Sequence, residues 1–228
     1  MLCLYFQAPF AVFRTFTAGS FRPTAPFITP SAAYGLLLNL AGIEMRDDDS
    51  EAEMTLIRSG LPRVTIALGA LEMPGQHSVY QQLHNYPVGN TGKEHAPNTK
   101  GNKYNITPAR RSFLSNLRGY ICLKDNDELA AQVIDGLAGK RERKYGLPFF
   151  GDNNFLPDRI ASVDQIEPAH WFVKVAPDDE AGIAVNIARL TVTIDRADMS
   201  RTRSALFRPL QVAAVEIPEN AWVCVGYD

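Results

Sequence analysis

The stretch from Phe10 to Gly42, FAVFRTFTAGSFRPTAPFITPSAAYGLLLNLAG, constrains the fold more than any other part of the chain. A short apolar run, Leu2 to Phe6, feeds into it and reads as a central strand, apolar on both faces. Two arginines follow, Arg14 and Arg22, each directly after a phenylalanine. A helix start comes next, with Thr29 as N-cap, Pro30 at the first helical position and Ser31 behind it. The helix SAAYGLLLNLAG stops near Gly42, a natural C-terminal glycine. Strand, basic-aromatic loop and capped helix thus follow one another. The helix start offers free N–H groups and the positive end of a dipole, with two guanidiniums just before it. Such a place can hold a phosphate. The competing reading is that the arginines solvate a loop.

Charge is distributed unevenly. The whole chain of 228 residues carries a net charge of −2, which by itself does not suggest nucleic acid. Yet Gln76 to Lys124 holds seven basic residues (Lys93, Lys100, Lys103, Arg110, Arg111, Arg118 and Lys124) against one acid, Glu94. Tyr80, Tyr86, Tyr104, Phe113 and Tyr120 are interleaved with them, together with His77, His84 and His95. The middle of this stretch is rich in Gly, Pro, Asn and Thr and shows no regular period, which marks a functional or disordered loop. It reads as a projecting hairpin whose base is VYQQLHNY paired with RGYICLK and whose basic tip orders on binding. Glu44 to Glu53 is the counterpart: six acids against Arg46, a solvated loop on a face that an RNA backbone avoids.

The remaining elements follow from periodicity. Arg58 to Met73 reads as a strand, broken by Pro74 and Gly75. Asp125 to Gly136 reads as a helix, capped by Asp125 or Asn126, with Leu129, Val133 and Ile134 as its apolar stripe. KRERK (Lys140 to Lys144) is a basic cluster, and Tyr145 to Ile160 is loop-rich. His170 to Val175, Ile187 to Asp195, Leu210 to Ile217 and Ala221 to Tyr227 read as strands. This order gives an α+β fold with helices on one face of an antiparallel sheet, the preferred topology being a ferredoxin-like split βαβ core. Apolar residues make up 46% and charged residues 21%, enough for one large domain or one domain with a small addition. Cys3, Cys122 and Cys224 lack CxxC spacing and sit in apolar runs, so they are expected to be reduced core residues. With no basic leader and no long apolar run, a cytoplasmic protein without a signal peptide or membrane span is expected.

The familiar catalytic signatures are missing: no GxxxxGK[ST], HExxH or GxSxG, and no Cys/His set at zinc spacing. Asp47 to Asp49 read as a solvated run rather than a metal site, and no cofactor is called for. Metal-free RNA cleavage is the enzyme option, for which His84, His95 and Tyr104 supply the residue types. Binding is the favoured reading. Lys93, Lys100, Lys103, Arg110 and Arg111 would neutralise phosphates and Tyr104 would stack on a base. Arg14 and Arg22 would repeat that chemistry at the helix start, with Phe13 and Phe21 read mainly as core packing.

The opening segment resembles the N-terminal signature of the Cas-five family of CRISPR Cascade subunits. The matching positions are Ala11 to Arg14, Pro30, Ser31, Gly35 to Leu38 and Gly42, with YGLPFFGDNNF resembling a later aromatic-glycine element. The resemblance implies an RRM-like domain over residues 1–144, including a β-hairpin thumb at about 76–124, and a small β-rich C-terminal region over 145–228. It also implies a role: holding the crRNA 5′ handle beside repeated backbone subunits and a large subunit, with target DNA met through the complex and no membrane contact. Ser31 joins the expected RNA-binding residues on this ground. One branch of the family cuts precursor crRNA with a Tyr, Lys and His set, but Lys93 and His95 are separated here by Glu94. A free-standing RRM-like RNA-binding protein is the third alternative.

Overall fold

A strand of nineteen residues, Ile106–Lys124, forms the spine of the molecule. The computed structural model describes residues 1–15, 21–47, 55–84, 106–144, 146–175, 186–213 and 216–227. In chain order its elements are β1 (Leu2–Ala11), β2 (Phe21–Arg22), α1 (Pro30–Leu40), β3 (Arg46–Asp47), β4 (Leu56–Ile57), β5 (Val64–Ala70), β6 (Gly75–His84), β7 (Ile106–Lys124), α2 (Asp127–Leu137), β8 (Arg159–Val163), β9 (Ala169–Lys174), β10 (Ala188–Thr193), β11 (Arg203–Val212) and β12 (Val223–Val225). The large sheet has the order β10-β11-β9-β5-β7-β1-β8, with β12 also on β5, and with β2 and β6 also on β7. Every pairing in it is antiparallel except the short β2–β7 contact, which is parallel. β3 and β4 form a separate two-stranded ribbon.

β7 joins two parts of the molecule. Its second half pairs with β1 through Leu114 to Leu123 and with β5 through Gly119 to Lys124. Its first half, Ile106 to Ser115, pairs with β6 in a hairpin that runs on from the sheet; the expected base, VYQQLHNY with RGYICLK, is thereby corrected, since RGYICLK pairs with β1 and β5. At ~3.3 Å per residue the strand extends roughly 60 Å. The strand periodicity expected only from Arg118 onward therefore begins at Ile106. Pro108 and the adjacent Arg110 and Arg111 disguise it, because the pairing with β6 is made by backbone groups that tolerate an irregular side-chain pattern.

The main core lies between one sheet face and the two helices. Leu2, Leu4 and Phe6 from β1, Ile66 and Leu68 from β5, and Ile121 and Leu123 from β7 pack with Tyr34, Leu37 and Leu38 of α1 and Leu129 and Val133 of α2. α1 is apolar nearly all round and is buried accordingly. α2 is amphipathic and leaves Ile134 exposed. Of its two candidate caps, Asn126 serves: its Oδ1 accepts the Leu129 N–H at 2.9 Å. The helices approach closely because Gly136 faces the Leu40 carbonyl oxygen, where any Cβ would collide. On the opposite sheet face Trp171, Tyr120, Ala67, Cys3 and Cys122 form a second cluster.

Three further expectations are corrected. Cys3 and Cys122 are register partners on β1 and β7 and are joined as a disulfide, while Cys224 is free and exposed rather than in the core. β1 runs on to Ala11, past Phe6. Within the stretch read as loop-rich and just beyond it, Arg159–Val163 forms β8 along the outer edge of β1.

Candidate nucleic-acid interface

Arg14, Arg22 and Arg111 come from three separate stretches and line one cleft of about 270 Å³. Local pairing gathers them. The Phe13 N–H donates to the buried Thr24 hydroxyl at 2.9 Å, and the Ala25 N–H donates to the Phe13 carbonyl at 2.7 Å. A β-bridge sets Arg14 opposite Thr24. Two residues earlier, β2 places Arg22 opposite Arg111 of β7. Like charges at directly paired positions repel. Burial holds them there: Phe13 is 3% exposed and meets Phe150 edge-on, with centroids 6.3 Å apart.

The facing wall is the turn around FFGDNNF. Phe150 is buried against Phe6, at 5.2 Å between centroids. Its carbonyl accepts the Val12 N–H at 3.1 Å, and its own N–H donates to the Phe155 carbonyl at 2.8 Å. Gly151 adopts φ +81°, and a Cβ there would strike the Val12 carbonyl oxygen. The turn is thereby clamped to the end of β1 and presents Asp152, Asn154 and Phe155 to the cleft. Asp152 Oδ2 lies 3.8 Å from Arg111, and among the described residues Arg14 and Arg22 have no ion pair. Three guanidiniums against one carboxylate leave a concave site with excess positive charge, where protein walls strengthen the field.

Aromatic rings border this charge. Phe113 packs edge-on to Phe10 at 5.6 Å, and Phe10 also meets Phe155 at 6.2 Å. His77 stacks on Phe113 at 5.4 Å and shares a 2.7 Å hydrogen bond with the Ser115 hydroxyl. Phe10, in contact with Phe113 on the cleft side, is 45% exposed. Phe21 and Tyr80, 49% and 65% exposed, both pair with Arg110 and lie on the face away from the cleft. Phe21 is therefore a surface ring, unlike Phe13. Exposed rings beside guanidiniums suit unpaired bases and their phosphates.

The other expected site residues are placed differently. Arg110 alternates away from Arg111 along β7, and its Nε donates to the Ser78 hydroxyl at 3.0 Å. Ser31 is buried, and its hydroxyl pairs with that of Thr29 at 3.1 Å. The start of α1, where a phosphate site was expected, is itself buried. The Ala32 N–H donates to Thr29 Oγ1 at 3.2 Å, the Ala33 N–H donates to the Thr29 carbonyl at 2.9 Å, and Thr29 and Pro30 are buried. The arginines nearby serve the cleft instead. His84 is the last residue of β6. Lys93, His95, Lys100, Lys103 and Tyr104 lie outside the described residues.

The basic cluster after α2 is structural where its contacts are seen. The Arg141 guanidinium donates to the Ala41 carbonyl, and Arg143 donates to that of Gly136 at 2.9 Å. Both carbonyls lie at helix C-termini that have no basic residue in their own last turn. Sequence reasoning missed Asp152, Asn154, Phe155 and Phe113 as cleft residues. The signal was FFGDNNF, in which a glycine between an aromatic pair and polar residues marks a tight, outward-facing turn.

Comparison with known proteins agrees with this architecture. A family model described as CRISPR-associated protein (Cas_Cas5) matches residues 1–141. A chain of a CRISPR RNA-guided surveillance complex superposes with a TM-score of 0.55 at 15% identity, over 93% of this chain and 91% of its own. A Cas protein crystal structure superposes with a TM-score of 0.51 at 13% identity, over 93% of this chain and 94% of its own. At such identities the likeness is one of fold. A sequence comparison with curated proteins gives no match.

Proposed function

Since this chain belongs to the CRISPR-associated Cas5 family, we propose that it is a non-catalytic structural subunit of a type I CRISPR effector complex and holds the 5′ handle of the crRNA. The observation that carries the reading is the convergence of Arg14, Arg22 and Arg111 on one cleft that has, among the described residues lining it, a single carboxylate, and that is bordered by the rings of Phe10, Phe113 and Phe155. A single-stranded handle needs its phosphates held and its bases splayed. Guanidiniums bind phosphate bidentately, and rings and guanidinium planes accept stacked bases. The likeness to a chain of an RNA-guided surveillance complex supports assembly with repeated backbone subunits and a large subunit, target DNA being met through them.

The fold reading goes with it. The order β5-β7-β1-β8, antiparallel throughout, with α1 between β1 and β5 and α2 between β7 and β8, supports a ferredoxin-like, RRM-like core. The β6–β7 hairpin would be the thumb, and β9 to β12 would complete the sheet as the C-terminal region.

Handle RNA titrated against wild type, Arg14→Ala and Arg22→Ala at two salt concentrations tests the proposal. Arg14→Ala is expected to weaken binding by about 1.5–3 kcal/mol, the range of a charge-assisted hydrogen bond. Its salt dependence should be shallower, since one fewer phosphate contact releases fewer counterions. Superimposable curves for wild type and Arg14→Ala would overturn the assignment of this cleft.

A further inference from the structure

A cleft built only for phosphates has no use for a carboxylate, because Asp152 weakens the very field that the three arginines create. We propose that Asp152 is the base-reading residue of the cleft: it accepts a hydrogen bond from the exocyclic amine of a bound nucleobase and so disfavours uracil. The inference rests on the RNA-binding reading and deepens it.

The two oxygens of Asp152 are in different situations. Oδ1 is used within the turn, accepting the Asn154 N–H at 3.2 Å and the Asn154 side-chain amide at 2.9 Å. Oδ2 faces the cleft 3.8 Å from the Arg111 guanidinium, beyond hydrogen-bond range, so its lone pairs remain open. Carboxylate and guanidinium thus stand close together, as acceptor and donor, across the cleft. The cytosine edge matches that pair: its N4 amine donates, and its N3 and O2 accept beside it. Uracil presents a recessed N3–H between two carbonyl oxygens, which a carboxylate repels. Guanine and adenine also carry an amine, so the criterion is the amine rather than ring size. The turn that aims Asp152 is fixed by Gly151 and the Val12–Phe150 hydrogen bond, so the acceptor is set in place before the base arrives.

Ten-nucleotide oligocytidylate and oligouridylate share a backbone and a ring size, and titrating both against the intact protein isolates the base edge. Wild type should favour oligocytidylate about tenfold, within the range for a good base contact. Asp152→Asn keeps an oxygen for the turn but places an amide donor in the cleft. It should cut the preference to about twofold or less by weakening oligocytidylate and tightening oligouridylate. Asp152→Ala should abolish the preference, and thermal melting of each variant verifies the fold. Wild type binding both oligomers equally would overturn the inference while leaving the RNA site standing. A variant that shifts both affinities by one common factor would also overturn it, reducing Asp152 to a repelling or orienting charge. Wild type binding neither oligomer would sink the RNA-binding reading and this inference together.

Discussion

The two halves of β7 share one backbone ladder and almost nothing else. From Leu114 to Leu123 the strand pairs with β1, and from Gly119 also with β5, and Leu114, Leu117, Ile121, Cys122 and Leu123 are each at most 1% exposed. From Ile106 to Phe113 it is flanked by β6 and by the two residues of β2, and it carries Arg110, Arg111 and Phe113 to solvent or to the cleft. Hydrogen bonding alone therefore does not distinguish a stabilising strand from a recognising one. What differs is the surroundings of the side chains: helices and sheet in one half, an open cationic cleft in the other. Stability and binding should accordingly respond to different residues of the same strand.

The largest effect expected is on the buried half. Ile121→Ala removes a side chain 1% exposed from the main core and should cost ~2–5 kcal/mol of unfolding free energy. Denaturant titration measures that loss, and handle affinity of the protein that remains folded should stay within twofold of wild type. An equal loss in both assays would show that core and cleft are not separable. Next comes the exposed half. Arg111→Ala should leave unfolding within ~0.5 kcal/mol of wild type, as for surface changes. It should weaken RNA binding by roughly 1.5–3 kcal/mol. A stability loss larger than the binding loss would make Arg111 a structural residue.

The smallest effect sharpens the comparison from the helix layer. Tyr34 donates its hydroxyl to the Pro62 carbonyl at 2.9 Å, and burial, with the neighbouring Tyr227, pushes its ionisation well above the ordinary tyrosine range. An unfolded tyrosine ionises near pH ~10. The unfolded chain thus loses its proton first, and the stabilisation present below pH ~10 is lost as the pH rises above it. Tyr34→Phe should cost ~0.5–1.5 kcal/mol near neutral pH and flatten the alkaline decline between pH ~10 and ~11. Parallel alkaline curves for both proteins would assign the decline to another group. RNA binding at neutral pH should be unmoved.

Legibility in the sequence followed the range of the interaction. The Thr29–Pro30 helix start, the Asn126 cap and Leu129 and Val133 of the α2 stripe were readable because caps and stripes act within one or two turns, while Ile134 is exposed. Arg14, Arg22 and Arg111 were each readable as cations. Their convergence was not, since it depends on Thr24 meeting Phe13 and on β2 meeting β7 across long stretches of chain. β8 was unreadable for a similar reason: RIASV has little pattern of its own, and its partner is the first strand. Burial of Pro30 and Ser31, which withdraws the start of α1 from the surface, is a property of the packed molecule and leaves no mark on the local sequence.

The placement of β1 also fixes an order of events during synthesis. Leu2 must meet Leu123 on one side, and Cys3 must meet Val163 on the other. β1 therefore acquires both of its neighbours only once the much later strands β7 and β8 have been made. The C-terminus of α1 waits as well, for Arg141. Until then LCLYF stays an unpaired apolar edge, a template for pairing with other chains. Non-local closure of this kind slows folding relative to local, helical topologies. Until β7 and β8 have been made, that edge has no partner within its own chain.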